Sequence, residues 1–205
     1  MIMDALLIRA ILTALIAYTL GNLNGAIIVS NALYHSDVRA SGSKNGGLTN
    51  FLRVYGKKAA PLVILVDAGK AVLSTLLGGL LVGSVAEPKL GQALALVFVV
   101  VGHMFPALYQ FHGGKGILSG ISGIFVLDWR VGAILLVLFI IIVALTRYVS
   151  LGSVLGAAAV PFLMHFFLHI PAVTLLCAIA GALMIFMHRS NIKRLLSGTE
   201  NKFSF

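Results

Sequence analysis

An apolar run spans residues 5–33. Comparable runs follow at 59–83, 90–111, 131–147, 151–168 and 171–188, with a shorter one at 116–127. A helix that crosses a bilayer needs about 20 mostly apolar residues. Repeated runs of this length exclude a water-soluble globule, because each forms a helix with no polar face to turn outward. The composition agrees: 60% of the 205 residues are hydrophobic, 10% are charged and mean hydropathy is +1.05. A soluble domain carries roughly 25% charged residues. A soluble enzyme, a disordered tail and a disulfide-stapled secreted domain are therefore ruled out, and Cys177 is the chain's single cysteine. The expectation is an all-α integral membrane protein with seven transmembrane helices in a single domain, 1–205. The 116–127 run is too short to cross fully at about 1.5 Å per residue, so it extends, tilts or re-enters. No cleavable signal peptide is expected, since the first run is long, contains Asn22 and Asn24, and lacks a small-residue cleavage site.

Basic residues orient the spans. Arg39, Lys44, Arg53, Lys57 and Lys58 lie in the 34–58 loop. Lys115 lies before the fourth run, Arg147 after the fifth, and Arg189, Lys193, Arg194 and Lys202 in the tail. With seven spans all of these share one side, and the opposite loops hold only Lys89 and Arg130. The positive-inside rule then puts the N-terminus outside and the C-terminus in the cytoplasm, as in a multi-pass protein of the inner (cytoplasmic) membrane. The net charge of +9 points to cytoplasmic loops and anionic substrates rather than to nucleic acid. Every polar loop of any length faces the cytoplasm, so the chemistry belongs there.

Three polar segments stand out on that side. Ser41-Gly42-Ser43-Lys44-Asn45-Gly46-Gly47-Leu48-Thr49-Asn50 runs into Phe51-Leu52-Arg53 without an acid. Glycines let backbone N–H groups approach an anion, and Arg binds phosphate in a fork. A solvated flexible loop is the plain alternative. Phe111-His112-Gly113-Gly114-Lys115-Gly116 opens into Ile117-Leu118-Ser119, a glycine-rich turn entering a helix N-terminus, which is a natural phosphate seat. It is not a Walker A loop, because Tyr109 and Gly116 occupy positions where that motif needs glycine and Ser or Thr. In His188-Arg189-Ser190-Asn191-Ile192-Lys193-Arg194-Leu195, a continuing helix would place His188, Asn191 and Leu195 on one face. The alternative is a basic cap meeting lipid headgroups.

Within the spans, Asp67 and Lys70 stand at i, i+3, as a structural ion pair or a functional one. Asn22 and Asn24 are expected to make interhelical hydrogen bonds, and Gly116-x-x-x-Gly120 and Gly152-x-x-x-Gly156 to permit close helix approach. No metal and no cofactor are expected: His165 and His169 have helical i, i+4 spacing but no accompanying carboxylate. No Ser-His-Asp order is legible either.

These segments resemble the bacterial integral-membrane acyl-phosphate:glycerol-3-phosphate acyltransferases, the PlsY family. Its first motif, like S-G-S-G-N-x-G-x-T-N-x-x-R, stands here as SGSKNGGLTNFLR from Ser41 to Arg53. Its second, like G-H-x-x-P-x-x-x-x-F-x-G-G-K-G-V-A-T, stands as GHMFPALYQFHGGKGILS from Gly102 to Ser119. Its third, like H-R-x-N-I-x-R-L-x-x-G-x-E, stands as HRSNIKRLLSGTE from His188 to Glu200. The resemblance covers nearly the whole chain in order. It implies acyl transfer from acyl phosphate to the sn-1 hydroxyl of glycerol 3-phosphate, making lysophosphatidic acid for phospholipid synthesis, with membrane lipid as the setting. It further implies that Ser43, Arg53, Lys115 and His188 clamp phosphate and that Asn191 holds glycerol 3-phosphate. Asn45, Thr49, Asn50, Gly113, Gly114, Gly116 and Glu200 would complete or brace the binding site. Lys44 replaces a family glycine in a loop that can require positive φ, Leu48 replaces a small residue, and Leu118 replaces an alanine.

Acyl phosphate is a mixed anhydride with a good leaving group, so no covalent nucleophile is required and direct one-step transfer is the simplest chemistry. The enzyme's task is to bring two anions together; at ~4 Å and an effective dielectric of ~20 they repel by about 4 kcal/mol. An anion or organophosphate transporter and a diverged paralogue with another acceptor are the alternative readings.

Overall fold

The computed structural model describes residues 2–203. Among them are ten α-helices and no strand: α1 (Ile2–Gly21), α2 (Gly25–Tyr34), α3 (Leu48–Tyr55), α4 (Ala60–Gly83), α5 (Pro88–Met104), α6 (Ile117–Leu127), α7 (Trp129–Thr146), α8 (Val149–Leu168), α9 (Pro171–Met187) and α10 (Arg189–Leu196). Five segments are long and apolar enough to cross a membrane, or six if α9 and α10 count as one bent span. Helix α6 has 11 residues, so it remains the short member that the sequence indicated.

The first run is one apolar segment, Met3–Tyr34, but its helix is interrupted at Asn22-Leu23-Asn24. Asn24 caps α2: its side-chain oxygen accepts from the Ile27 N–H at 3.1 Å. The broken ends are held by charges from α4. Lys70 Nζ donates to the carbonyls of Gly21 (3.1 Å) and Leu23 (2.7 Å), and Asp67 Oδ1 accepts from the Gly25 N–H at 3.0 Å. A cation at a helix C-terminus and a carboxylate at an N-terminus each oppose the local helix dipole. The freed backbone groups are thus satisfied inside protein, the condition for non-helical backbone at membrane depth.

Helix α5 lies at the centre, packed by α1, α4, α6 and α9. Its Ala93, Ala95, Leu96, Val99 and Val100 are fully buried. The run read as 90–111 ends as α-helix at Met104, and a single 3₁₀ turn follows at Ala107–Tyr109. Helices α7 and α8 pack on the far side and turn Val137, Ile140, Leu145, Phe162 and Phe166 outward to lipid.

The last run does not continue straight. Helices α9 and α10 meet at 59° with His188 at the corner; its carbonyl accepts from the Ile192 N–H at 2.8 Å, so His188 and Asn191 keep their i, i+3 spacing in α10 and both are buried. Helix α10 carries Arg189, Lys193 and Arg194, and the bend takes those charges off the line of the span.

Candidate active site

Three loops meet at one end of the bundle around a cavity of about 1100 Å³. The 41–47 loop is knitted by Asn50, which is 2% exposed. Its Nδ2 donates to the carbonyls of Val38, Ser41 and Asn45, and its Oδ1 accepts from the Ser43 N–H at 2.8 Å. The second loop docks on the first backbone to backbone. The Gly46 N–H donates to the Gly113 carbonyl at 3.2 Å, and Asn24 Nδ2 donates to the Gly46 carbonyl at 2.8 Å. A Cβ on Gly114 would collide with the His103 ring and come within 2.7 Å of the Gly46 carbonyl, so only glycine permits this contact.

Of the twelve residues expected in the site, ten line the cavity: Ser43, Asn45, Thr49, Asn50, Arg53, Lys115, Gly116, His188, Asn191 and Glu200. Gly113 and Gly114 do not. Their N–H groups are taken by the carbonyls of Met104 (3.1 Å) and His103 (3.0 Å), so they set the shape of the turn and have no amide left for a ligand. Lys44, placed where a glycine was expected, has φ +56°. The left-handed region costs a residue with a Cβ roughly 1–2 kcal/mol.

The centre of the site is a chain of polar contacts. Lys115 Nζ donates to Asn191 Oδ1. Asn191 Nδ2 donates to Glu200 Oε1 at 2.6 Å, Ser150 Oγ donates to the same oxygen at 2.9 Å, and Arg194 Nε donates to Glu200 Oε2 at 2.6 Å. Burial works against ionisation of Glu200, but the hydrogen bonds from Asn191, Ser150 and Arg194 outweigh it and hold the carboxyl below its usual range. Burial pushes the Lys115 ammonium down to about 8; Glu200 pulls it up, and Arg194 and Arg53 push it down. His188 is 4% exposed and its Nδ1 contacts the Met184 carbonyl at 2.8 Å. A carbonyl can only accept, so Nδ1 carries the proton and Nε2 is the nitrogen left for other partners.

Charge and backbone geometry both favour an anion. Lys44, Arg53, Lys57, Lys115, Arg189, Arg194 and Lys202 line the cavity, against Asp67 and Glu200, and both carboxylates already have cationic partners. Helices α3, α6 and α10 all begin on the cavity wall, at Gly47, Gly116 and His188, with no side-chain cap. Gly116 enters α6 at φ +79°, a region that favours glycine. Uncapped first turns leave N–H groups free, and an anion is their natural partner.

Ser150 and the α3 and α10 N-termini escaped the sequence reading. Ser150 is one of two serines in an apolar helix, and its only sequence signal is its place just after the Arg147 turn, on the same side as the other motifs. Arg194 stood in the third motif and in the basic cap, but the sequence reading gave it no place in the site.

The fold and site define a multi-pass membrane protein with a cavity whose loop end is lined by cations. A sequence profile of the glycerol-3-phosphate acyltransferase family matches residues 11–198. The glycerol-3-phosphate acyltransferase of Thermoanaerobacter sp. (strain X514) is 40% identical over 193 residues, 94% of this chain and 95% of its own. That of Ralstonia pickettii (strain 12J) is 36% identical over 198 residues, 95% of this chain and 94% of its own. The crystal structure of PlsY, an integral membrane glycerol 3-phosphate acyltransferase, in its glycerol 3-phosphate form superposes with a TM-score of 0.85 at 31% identity, covering 95% of this chain and 96% of that one. The chain belongs to the glycerol-3-phosphate acyltransferase family and is an acyltransferase.

Proposed function

We propose that this protein transfers an acyl group from acyl phosphate to the sn-1 hydroxyl of glycerol 3-phosphate in one step. The hydroxyl oxygen attacks the acyl carbonyl carbon, and the bond from that carbon to the bridging phosphate oxygen breaks. Inorganic phosphate leaves with the bonding pair, and lysophosphatidic acid remains. Ser43, Arg53 and Lys115 clamp phosphate, His188 joins them through Nε2–H as the imidazolium that a bound phosphate favours, and Asn191 holds glycerol 3-phosphate. Asn45, Thr49 and Gly116 complete the pocket wall, and Asn50 and Glu200 brace it. The protein sits in the inner membrane as a single seven-span domain with the N-terminus outside, so both phosphates stay at the cytoplasmic interface. Similarity to a PlsY structure in a lysophosphatidic acid form, with a TM-score of 0.84 at 28% identity, supports the product.

The observation that carries this reading is the excess of cations on a wall whose two carboxylates are already paired. Such a wall offsets the repulsion of two substrate anions and offers no free carboxylate as a base. Alignment alone can remove roughly 7–11 kcal/mol of barrier. The hydroxyl proton then passes to a phosphate oxygen of a substrate. Purified protein in detergent, given acyl phosphate and glycerol 3-phosphate, is expected to form lysophosphatidic acid and one phosphate per product without added metal. Phosphate release without acylated product, or labelled phosphate uptake by proteoliposomes in place of turnover, overturns the reading. His188→Gln retains a donor but no base at neutral pH, so it should keep more activity than His188→Ala. Equal inactivity of both folded variants, with a wild-type rate that follows the His188 ionisation, would make histidine the base.

A further inference from the structure

The turn that delivers Lys115 is built where no core holds it. After α5 the chain makes the 3₁₀ turn Ala107–Tyr109 and then passes Gln110 and Phe111, at φ +58° and +59°. Residues with a Cβ rarely enter this left-handed region, and they stay there only where their surroundings fix them. Apolar packing does little of that fixing, since Leu108 is 68% exposed and Phe111 60%.

Polar contacts from elsewhere in the chain hold the turn instead. At its start, Tyr18 Oη donates to the Phe105 carbonyl at 2.9 Å, and Asn22 Oδ1 accepts from the Leu108 N–H at 3.2 Å. Further on, one side chain brackets the left-handed pair. Arg39 Nη1 donates to the Tyr109 carbonyl at 3.0 Å and to the His112 carbonyl at 2.7 Å. Asp37 aims that guanidinium: both its oxygens accept from Nε at 3.0 Å, and Oδ2 also accepts from Nη2 at 2.6 Å. The backbone between them is fixed as well. Fully buried Val38 donates its N–H to Ser30 Oγ at 3.1 Å, and its carbonyl accepts from Asn50 Nδ2 at 2.9 Å. Asn50 also knits the 41–47 loop, so Arg39 ties the second loop to the frame of the first.

We propose that Arg39 is a positioning residue of the active site: it locks the 109–112 turn to the first loop so that Lys115, three residues further on, faces the cavity. The inference rests on Lys115 being a phosphate ligand, as read above. Arg39 does not itself line the cavity, so it acts through the turn.

The test follows kcat/KM for glycerol 3-phosphate in detergent, with thermal melting as the check on folding. Arg39→Ala should lower it by about 10- to 100-fold, as a misplacement of ~1 Å can. Arg39→Lys keeps the charge, but an ammonium cannot span two carbonyls and a carboxylate, so it should lose nearly as much. Adding Lys115→Ala to Arg39→Lys should cost less than the product of the two single losses, because the two residues act as one unit. In Arg39→Lys the falling limb of the pH profile should move up from about 8, where Lys115 titrates. A loosened turn lets water reach the ammonium and relieves its burial, with Glu200, Arg194 and Arg53 beside it unchanged. Wild-type kcat/KM in Arg39→Lys means that charge alone suffices and overturns the proposal. So do losses that multiply in the double variant, or an impaired Arg39→Lys whose limb stays near 8. If Arg39→Ala does not fold, Arg39→Lys carries the test. Wild-type kcat/KM in the single variant Lys115→Ala defeats the phosphate-ligand reading instead.

Discussion

Two buried polar clusters in this protein use similar side chains for opposite ends. In the first, Lys70 and Asp67 on α4 meet His103 on α5, with side-chain exposures of 2%, 1% and 4%. Lys70 Nζ has Asp67, His103 and two backbone carbonyls within 3.1 Å, so an ammonium with three donors is fully committed. In the second, Lys115 finds one protein acceptor, Asn191, among the described residues, and two of its donors remain for a ligand. Glu200 is saturated, while the Arg194 side chain is 38% exposed. The closed cluster stitches a broken helix together, and the open one has cationic capacity to spare. Burial of the charge does not separate the two clusters; the donors left without a protein partner do.

The comparison breaks most visibly at Asp67. Asp67→Ala strands the Lys70 charge, and loss of one partner of a buried pair costs about 3–5 kcal/mol. Detergent-solubilised protein should melt far lower or fail to fold, and Asp67→Asn, which keeps an acceptor for the Gly25 amide, should recover part of that loss. An Asp67→Ala variant that melts with the wild type would erase the distinction. Lys115→Ala should do the reverse: melting is nearly unchanged, and kcat/KM for glycerol 3-phosphate falls by about 10- to 150-fold, the worth of a charge-assisted contact of ~1.5–3 kcal/mol.

The pH dependence sharpens the contrast. Lys115 in the free enzyme titrates at about 8, and only the ammonium binds phosphate well, so kcat/KM should fall as pH rises through that value. Lys115→Arg should move the falling limb to higher pH, since guanidinium stays charged. The smallest expected effect is at Ser150. Ser150→Ala removes one of three bonds to Glu200, worth ~0.5–1.5 kcal/mol or about 2- to 12-fold in rate, and rates equal to the wild type would take Ser150 out of the site.

Hydropathy located nearly every span, because a run of apolar residues is a local property that needs no partner. The loops that converge on the cavity were legible for a similar reason: Gly, Ser, Asn and Lys between apolar runs have nowhere else to lie. The break at Asn22–Asn24 was not, because it depends on Lys70 and Asp67 arriving from a helix far along the chain. The bend at His188 is likewise a product of packing, as is the open space beside Gly156, where a Cβ would meet no atom within 4 Å while one on Gly152 would press on Phe139. A G-x-x-x-G pattern reads the same whether a neighbouring helix or an empty cavity lies next to it. Lys44 was the opposite case: the sequence pointed to a backbone that can require positive φ, and the structure has φ +56° there.

Glu200 has a consequence in the order of synthesis. The ribosome makes the 41–53 loop early, Lys115 midway and Glu200 only after α10, yet Glu200 ties together Asn191, Arg194 and, from the preceding bundle, Ser150. A nascent chain that has inserted α1 to α9 still lacks this knot. Until residue 200 has been made, the polypeptide holds these cations unbraced, and the site comes together only afterwards.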